Sequence, residues 1–219
     1  MSKSFARRLA DIEPFRVVEV LTRAKALAAA GRDIIHMEAG EPDFSSAEPI
    51  IRAAKASLDR GETSYTPAAG IPALRQAIAK YYKQDHGLDI APERIMITPG
   101  ASGALLLLAG LLINPGDGML MTDPGYPCNR HFLRLVEGEG QLVPVGPEDR
   151  FQLCAEKAEQ HWQANTKGIM VASPANPSGE ILTAPQLSDL HSLCERKEGY
   201  LNVDEIYHGL NYGVDEPSI

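Results

Sequence analysis

Residues 118–127 read GMLMTDPGYP, a short apolar run closed by the turn formers Asp123, Pro124, Gly125 and Pro127, with one aromatic residue, Tyr126, held among them. The same grammar recurs on both sides. Residues 94–98, 118–122, 141–145, 168–172 and 200–203 are short runs of strand character, and residues 102–113, 126–137, 155–165 and 184–198 between them carry apolar side chains at helical spacing. Strands alternating with helices imply βαβ units, so the expected fold is α/β, a mostly parallel sheet with helices on both faces. Upstream, helices are expected from Pro14 to a stop at Gly31, over 49–60 and over 71–86, with Gly61 and Gly87 as closing residues. A further strand is expected at 33–37, followed by the turn-rich stretch Ala39-Gly40-Glu41-Pro42-Asp43-Phe44.

In open α/β sheets ligands gather outside the carboxyl ends of the strands, so the segments that follow each strand are where function is sought. Four are rich in polar and turn residues: Pro99–Ser102, Asp123–Pro127, Ser173–Gly179 and Asp204–Tyr207. They are expected to meet on one side of the sheet. Gly100 to Ala104 passes from strand to helix, where unpaired amides and the helix dipole suit an anion, although such a turn serves equally as a plain connection. Tyr126 is stiffly set between Gly125 and Pro127, fit either to face a planar ligand or to pack at a helix start. Asn176, between Pro174 and Pro177, can offer its amide to a ligand oxygen or close an Asx turn. Asp204, at a strand end, needs a cation if it is partly buried, unless it only caps a following helix.

Bulk properties narrow the function. The chain has 219 residues, 21 basic against 29 acidic, a net charge of -8 and 44% hydrophobic residues, which permits a sizeable core and gives no footprint for nucleic acid or an anionic membrane surface. Its longest apolar run, around residues 104–113, is too short to span a bilayer, and the N-terminus MSKSFARRLADIEPF lacks a signal-peptide core. Three cysteines without a CxxC pair suit free thiols and a cytoplasmic setting. The six histidines show no HExxH spacing, so no metal site is expected, and neither GxSxG, GxGxxG nor GxxxxGK[ST] occurs.

Five segments, EAGEPDF (38–44), YTPAAGIPALRQAIAKYY (65–82), ITPGASGALLLLAGLLINPGDGMLMTDPGYP (97–127), SPANPSG (173–179) and NVDEIY (202–207), resemble the class I/II aminotransferases, fold-type-I enzymes dependent on pyridoxal 5'-phosphate (PLP), in the family's order and spacing. The departures are mild: Ala175 and Ser178 stand where the family more often has Asn and Thr, and Cys128-Asn129 follows PGYP.

The resemblance implies that amides of Ala101 and Ser102 bind the cofactor phosphate and that Tyr126 stacks on its ring. It further implies that Asn176 and Tyr207 bond the phenolic oxygen and that Asp204 pairs with the protonated ring nitrogen. Asp204 and Tyr207 are thereby the catalytic residues expected within this chain. Tyr65 is implied to reach the phosphate of a neighbouring subunit in a homodimer, and Gly40 to lie by the substrate carboxylate. Residues 1–45 then correspond to an N-terminal arm and small-domain segment, and residues 46–219 to the N-terminal part of the large PLP-binding domain.

The implied activity moves an amino group between an amino acid and a 2-oxo acid. The family's Schiff-base lysine stands in a Ser-x-Ser-Lys stretch that these 219 residues do not contain, so the chain is expected to be the front part of a longer enzyme and inactive alone. Its own lysines, Lys157 among them, are expected to be solvated surface charges. Alternatives are another fold-type-I PLP enzyme (lyase, decarboxylase or acyl transferase), an inactive fragment, or a regulator with a DNA-binding module, for which no basic segment exists.

Overall fold

In a computed structural model residues 4–40 and 44–213 are described, and the chain divides into two compact units, Met1–Glu13 with Thr98–Ile219, and Pro14–Ile97. The first unit is built on four parallel strands, β1 (Gly118–Asp123), β2 (Glu139–Pro144), β3 (Thr166–Ala172) and β4 (Tyr200–Asp204), in the order β2-β1-β3-β4. The fold class is therefore the expected one. Around the sheet run α4 (Gly100–Leu112), α5 (Cys128–Leu135), α6 (Ala155–His161) and α7 (Ala184–Arg196).

Strand alternation decides which helix covers which face. Met119, Met121 and Met170 point to a cluster with Leu105, Ala109 and Ile113 at α4 and Leu133 of α5. Leu120, Ile169 and Val171, one position out of phase, point to the opposite cluster, built with Ala158 of α6 and Leu187, Leu190 and Leu193 of α7. A strand buried on both faces cannot alternate polar with apolar, which is why MLM and GIMVA read as continuous apolar runs. Helix α7 starts on a capping box in which the Thr183 side chain accepts from the Gln186 N–H and Gln186 Oε1 accepts from the Thr183 N–H.

The amino-terminal edge of the sheet is held by a polar chain. Thr166 Oγ1 donates to Gln141 Oε1 (2.5 Å), Gln141 Nε2 donates to Asn165 Oδ1 (3.0 Å), and Asn165 Nδ2 donates to the Gly116 carbonyl (2.9 Å). Both Gln141 and Thr166 are buried, so satisfied partners are what makes them tolerable there. Because the Thr166 hydroxyl also accepts the Gln163 N–H, α6 stops at His161 rather than running on to residue 165 as its composition suggests.

Lys157 departs from the surface role expected of it. Its ammonium donates to Asp149 Oδ2 at 2.6 Å, where the Gly146 N–H also donates, and only about a quarter of its side chain is exposed (26%). The Lys157 hydrogen bond, followed by that from Gly146, holds the Asp149 carboxyl below its ordinary 3.8. A depressed folded-state pKa gives stability that is present above the unfolded value and is lost as pH falls through the folded one. Asp149→Asn is therefore expected to lower the urea midpoint at neutral pH and to converge with the parent as the solution is taken well below 3.8; a constant offset across that range would contradict it.

The second unit carries α1 (Arg16–Ala29), α2 (Glu48–Asp59) and α3 (Pro72–His86), each followed by a glycine at positive φ (Gly31 +86°, Gly61 +70°, Gly87 +70°). Among its described residues there is no strand, which corrects two expectations. Residues 33–37 are extended but unpaired, with Ile35 and Met37 more than four-fifths exposed. Around residues 94–98, Pro92–Arg94 form a 3-10 turn, Arg75 Nε takes the carbonyls of both Pro92 and Ile95, and the Ile97 N–H goes to Ala69, so no ladder partner remains. Of the turn around Gly40, residues 41–43 lie outside the described residues.

Candidate functional site

Strand β1 has β2 on one side and β3 on the other, so the chain reverses its winding direction there, and a crevice opens at the carboxyl ends. In that region lies a cavity of about 210 Å³ to which all four polar junctions contribute: Gly100, Ala101 and Ser102; Tyr126; Pro174 and Asn176; and Asp204 with Tyr207. Leu105, Ala172 and Ile206 complete it with apolar wall. The structure thus brings together six of the residues singled out in the sequence: Ala101, Ser102, Tyr126, Asn176, Asp204 and Tyr207.

At one end stands the start of α4. Gly100, at φ +71°, makes the abrupt entry into the helix, with the Thr98 hydroxyl donating to its carbonyl at 2.8 Å. Pro99 provides no side-chain cap, so the first-turn amides of α4, whose residues Gly100, Ala101 and Ser102 line the cavity, gain no partner from it. The positive end of the helix dipole adds to their attraction for an anion.

Tyr126 forms a wall shared with a smaller cavity of about 110 Å³ on its other side. Burial, then the hydrogen bond and charge of Cys128, then the charges of Tyr207 and Asp204, push its phenol up to about 12. It presents a neutral ring. It precedes α5 by one residue, Pro127, so it is a wall residue rather than part of the helix expected at 126–137.

Asn176 rides a loop closed by hydrogen bonds from the Ala175 N–H to the Glu180 carbonyl (2.9 Å) and from the Gly179 N–H to the Ala175 carbonyl (2.7 Å). The Asn176 amide makes no hydrogen bond among the described residues, so it is not consumed in an Asx turn. Together with Tyr207 it also lines a wider depression of about 500 Å³.

Asp204 ends β4 and is half-buried. Oδ1 accepts the Ile206 N–H at 3.0 Å, which caps a turn rather than a helix. Oδ2 has no protein partner among the described residues, and no lysine or arginine lines the cavity. Gly40 and Tyr65 belong to the other unit, where the Tyr65 side chain is fully exposed between α2 and α3.

Sequence reading did not mark Leu105 or Ala172 as part of this wall, and it named Ile206 only as a member of the Asp204–Tyr207 junction. Their signal was available, since each lies within a few positions of a strand-end junction, but an apolar residue beside a turn has no chemistry of its own to announce it.

Comparison with known proteins gives the family. The profile of the family described as aminotransferase class I and II matches residues 32–218. The chain is 37% identical over 203 residues to the valine–pyruvate aminotransferase of Mycobacterium tuberculosis, covering 93% of this chain and 52% of that protein. It is 35% identical to the aspartate aminotransferase of Geobacillus stearothermophilus, covering 95% and 53%. The solved aspartate aminotransferase of Thermus thermophilus with maleate superposes with a TM-score of 0.94 at 33% identity, over 99% of this chain and 57% of that one. The chain belongs to the class I and II aminotransferase family, an enzyme family whose members use PLP. It spans about half the length of the curated relatives it matches.

Proposed function

We propose that this chain forms the cofactor cradle of a PLP-dependent aminotransferase that moves an amino group between an amino acid and a 2-oxo acid. The observation that carries the reading is the pairing of opposites in one cavity: helix-start amides suited to an anion at α4, and an Asp204 carboxylate with no protein cation beside it among the described residues. PLP is anionic at its phosphate and cationic at its protonated ring nitrogen, so the residues present fit it. When bound, the cofactor supplies a ring that draws electrons from the substrate α-carbon.

The roles of the chain's own residues follow from their chemistry. The amides of Ala101 and Ser102 hold the phosphate. Asp204 keeps a proton on the ring nitrogen and thereby keeps the ring electron-poor. Tyr126, neutral at working pH, packs its face on the ring, while Asn176 and Tyr207 donate to the phenolic oxygen. Residues 1–45 belong on this reading to the arm and small domain and residues 46–219 to the large domain. A homodimer, with the exposed Tyr65 reaching a neighbouring subunit's phosphate and Gly40 by the substrate carboxylate, and a cytoplasmic setting, in keeping with three free thiols, complete the proposal.

No described lysine lines the cavity. The 219-residue chain alone is accordingly expected to give no borohydride-trapped cofactor at a cavity lysine and no turnover, whereas the protein carrying it should bind PLP and convert it to the amine form with an amino acid, then back with a 2-oxo acid. Binding without that interconversion would replace transamination by another PLP chemistry, and turnover by the isolated 219 residues would remove the need for a lysine from elsewhere.

A further inference from the structure

We propose that Gln152 is a positioning residue that sets the loop presenting Asn176 to the cavity. Gln152 is almost wholly buried, 3% exposed, and does not line the 210 Å³ cavity. Its Nε2 donates to two backbone carbonyls, Ala172 at the end of β3 (3.0 Å) and Glu180 on the returning limb of the loop (2.9 Å). One amide thus bridges the two limbs at the neck of the 173–179 segment. The Glu180 carbonyl is the same one that accepts the Ala175 N–H, so the bridge is one residue removed from Asn176.

The orientation of the amide is fixed by its partners. Reversed, its oxygen would face two carbonyl oxygens; as it stands, Oε1 is buried with no hydrogen-bond partner among the described residues, a cost that marks how strongly the two donor bonds are required.

Independent support comes from the segment that delivers it. Arg150 and Phe151, immediately before Gln152, lie at φ +54° and +53°, a conformation that side chains with a Cβ rarely adopt. That strained pair is held by the Phe151 N–H on the Gly146 carbonyl (2.9 Å), by Asp149 capping the Gly146 N–H, and by Arg150 Nη2 donating to Glu180 Oε2 at 2.6 Å. The same neck reaches Asp204: the Ser173 N–H donates to the Asp204 carbonyl (3.0 Å), and Ser173 Oγ accepts the Leu182 N–H (2.9 Å). Gln152 therefore sits where one side chain governs the spacing between the Asn176 loop and the strand pair that ends in Asp204.

In naming the ligand PLP this inference rests on the function proposed above, so its test has one arm that needs no ligand. Gln152→Met keeps the volume and removes both donors; Gln152→Glu places an acceptor against the two carbonyls. In the protein carrying this chain, both variants are expected to speed hydrogen exchange at the Ala175, Gly179 and Leu182 amides by about tenfold, from the loss of both donor bonds, with Ile169 and Val171 of β3 unchanged.

The second arm is equilibrium dialysis with PLP. Gln152→Met is expected to weaken binding by about tenfold, yet to add nothing in an Asn176→Ala background, because a residue acting through Asn176 has no further effect once that amide is gone. Unchanged loop exchange in both variants overturns the proposal. So does faster exchange with PLP affinity retained while Asn176→Ala loses it, or full additivity of the two substitutions. If the unsubstituted protein takes up no PLP, the proposed function falls, and the exchange result alone decides whether Gln152 sets the loop.

Discussion

Asp204→Asn is expected to reduce PLP-dependent amino transfer by about two to four orders of magnitude, since removing one partner of a desolvated charge pair costs roughly 3–5 kcal/mol and each 1.4 kcal/mol is tenfold. The substitution is nearly isosteric. An asparagine Oδ1 can still accept the Ile206 N–H that Asp204 accepts now, so the turn after β4 should survive and the thermal midpoint should stay close to that of the parent. What is lost is the negative charge on Oδ2, the atom that has no protein partner among the described residues. A rate within about twofold of the parent, on the same reasoning about charge pairs, would mean that no cation sits opposite residue 204. A collapsed thermal midpoint would mean that the carboxylate serves folding instead.

The largest effect on stability is expected at Gly168. A Cβ built there falls against the backbone of Tyr200, its register partner across the β3–β4 pair, and backbone cannot swing aside as the tip of a side chain can. Gly168→Val should therefore force the two strands apart at their start. Overpacking typically costs 1–3 kcal/mol, and with no flexible neighbour to yield about 3 kcal/mol is expected. At roughly 2–4 °C per kcal/mol for a chain of this size, the thermal midpoint followed by circular dichroism should drop by about 10 °C. Gly110 in α4 is the control: a Cβ there meets nothing within 4 Å, so Gly110→Ala should leave the midpoint unchanged or raise it slightly. Equal losses at the two positions would show that close approach is not what makes residue 168 a glycine.

The sheet was legible in the sequence because its strands are buried on both faces, which writes them as uninterrupted apolar runs such as GMLM and GIMVA with turn residues after each. Strand order was not, since the 2-1-3-4 arrangement rests on crossovers that leave no local mark. Residues 33–37 and 94–98 misled for a related reason. Their composition suits extended backbone, yet a strand is defined by a partner: residues 33–37 pair with none of the described residues, and around 94–98 Arg75 and Ala69 take the hydrogen bonds that a ladder would use. The polar members of the cavity stood out because Asp, Asn and Tyr after a strand carry chemistry on their faces. Gln152 did not, being a polar residue in the middle of FQLC whose two acceptors are main-chain atoms twenty and twenty-eight positions away.

The hydrogen-bonded trio of Gln141, Asn165 and Thr166 sits at the foot of the strands, at the opposite end from the cavity. It works like the zero mark of a ruler: sliding β1 by one residue would exchange Leu120 with its methionine neighbours and send each into the wrong layer, and it would pull the Gly116 carbonyl, just ahead of β1, away from Asn165. With alignment secured at that end, the rim loops are free to diverge in length and chemistry without shifting the strands beneath them, which leaves a new substrate preference to be sought at the rim.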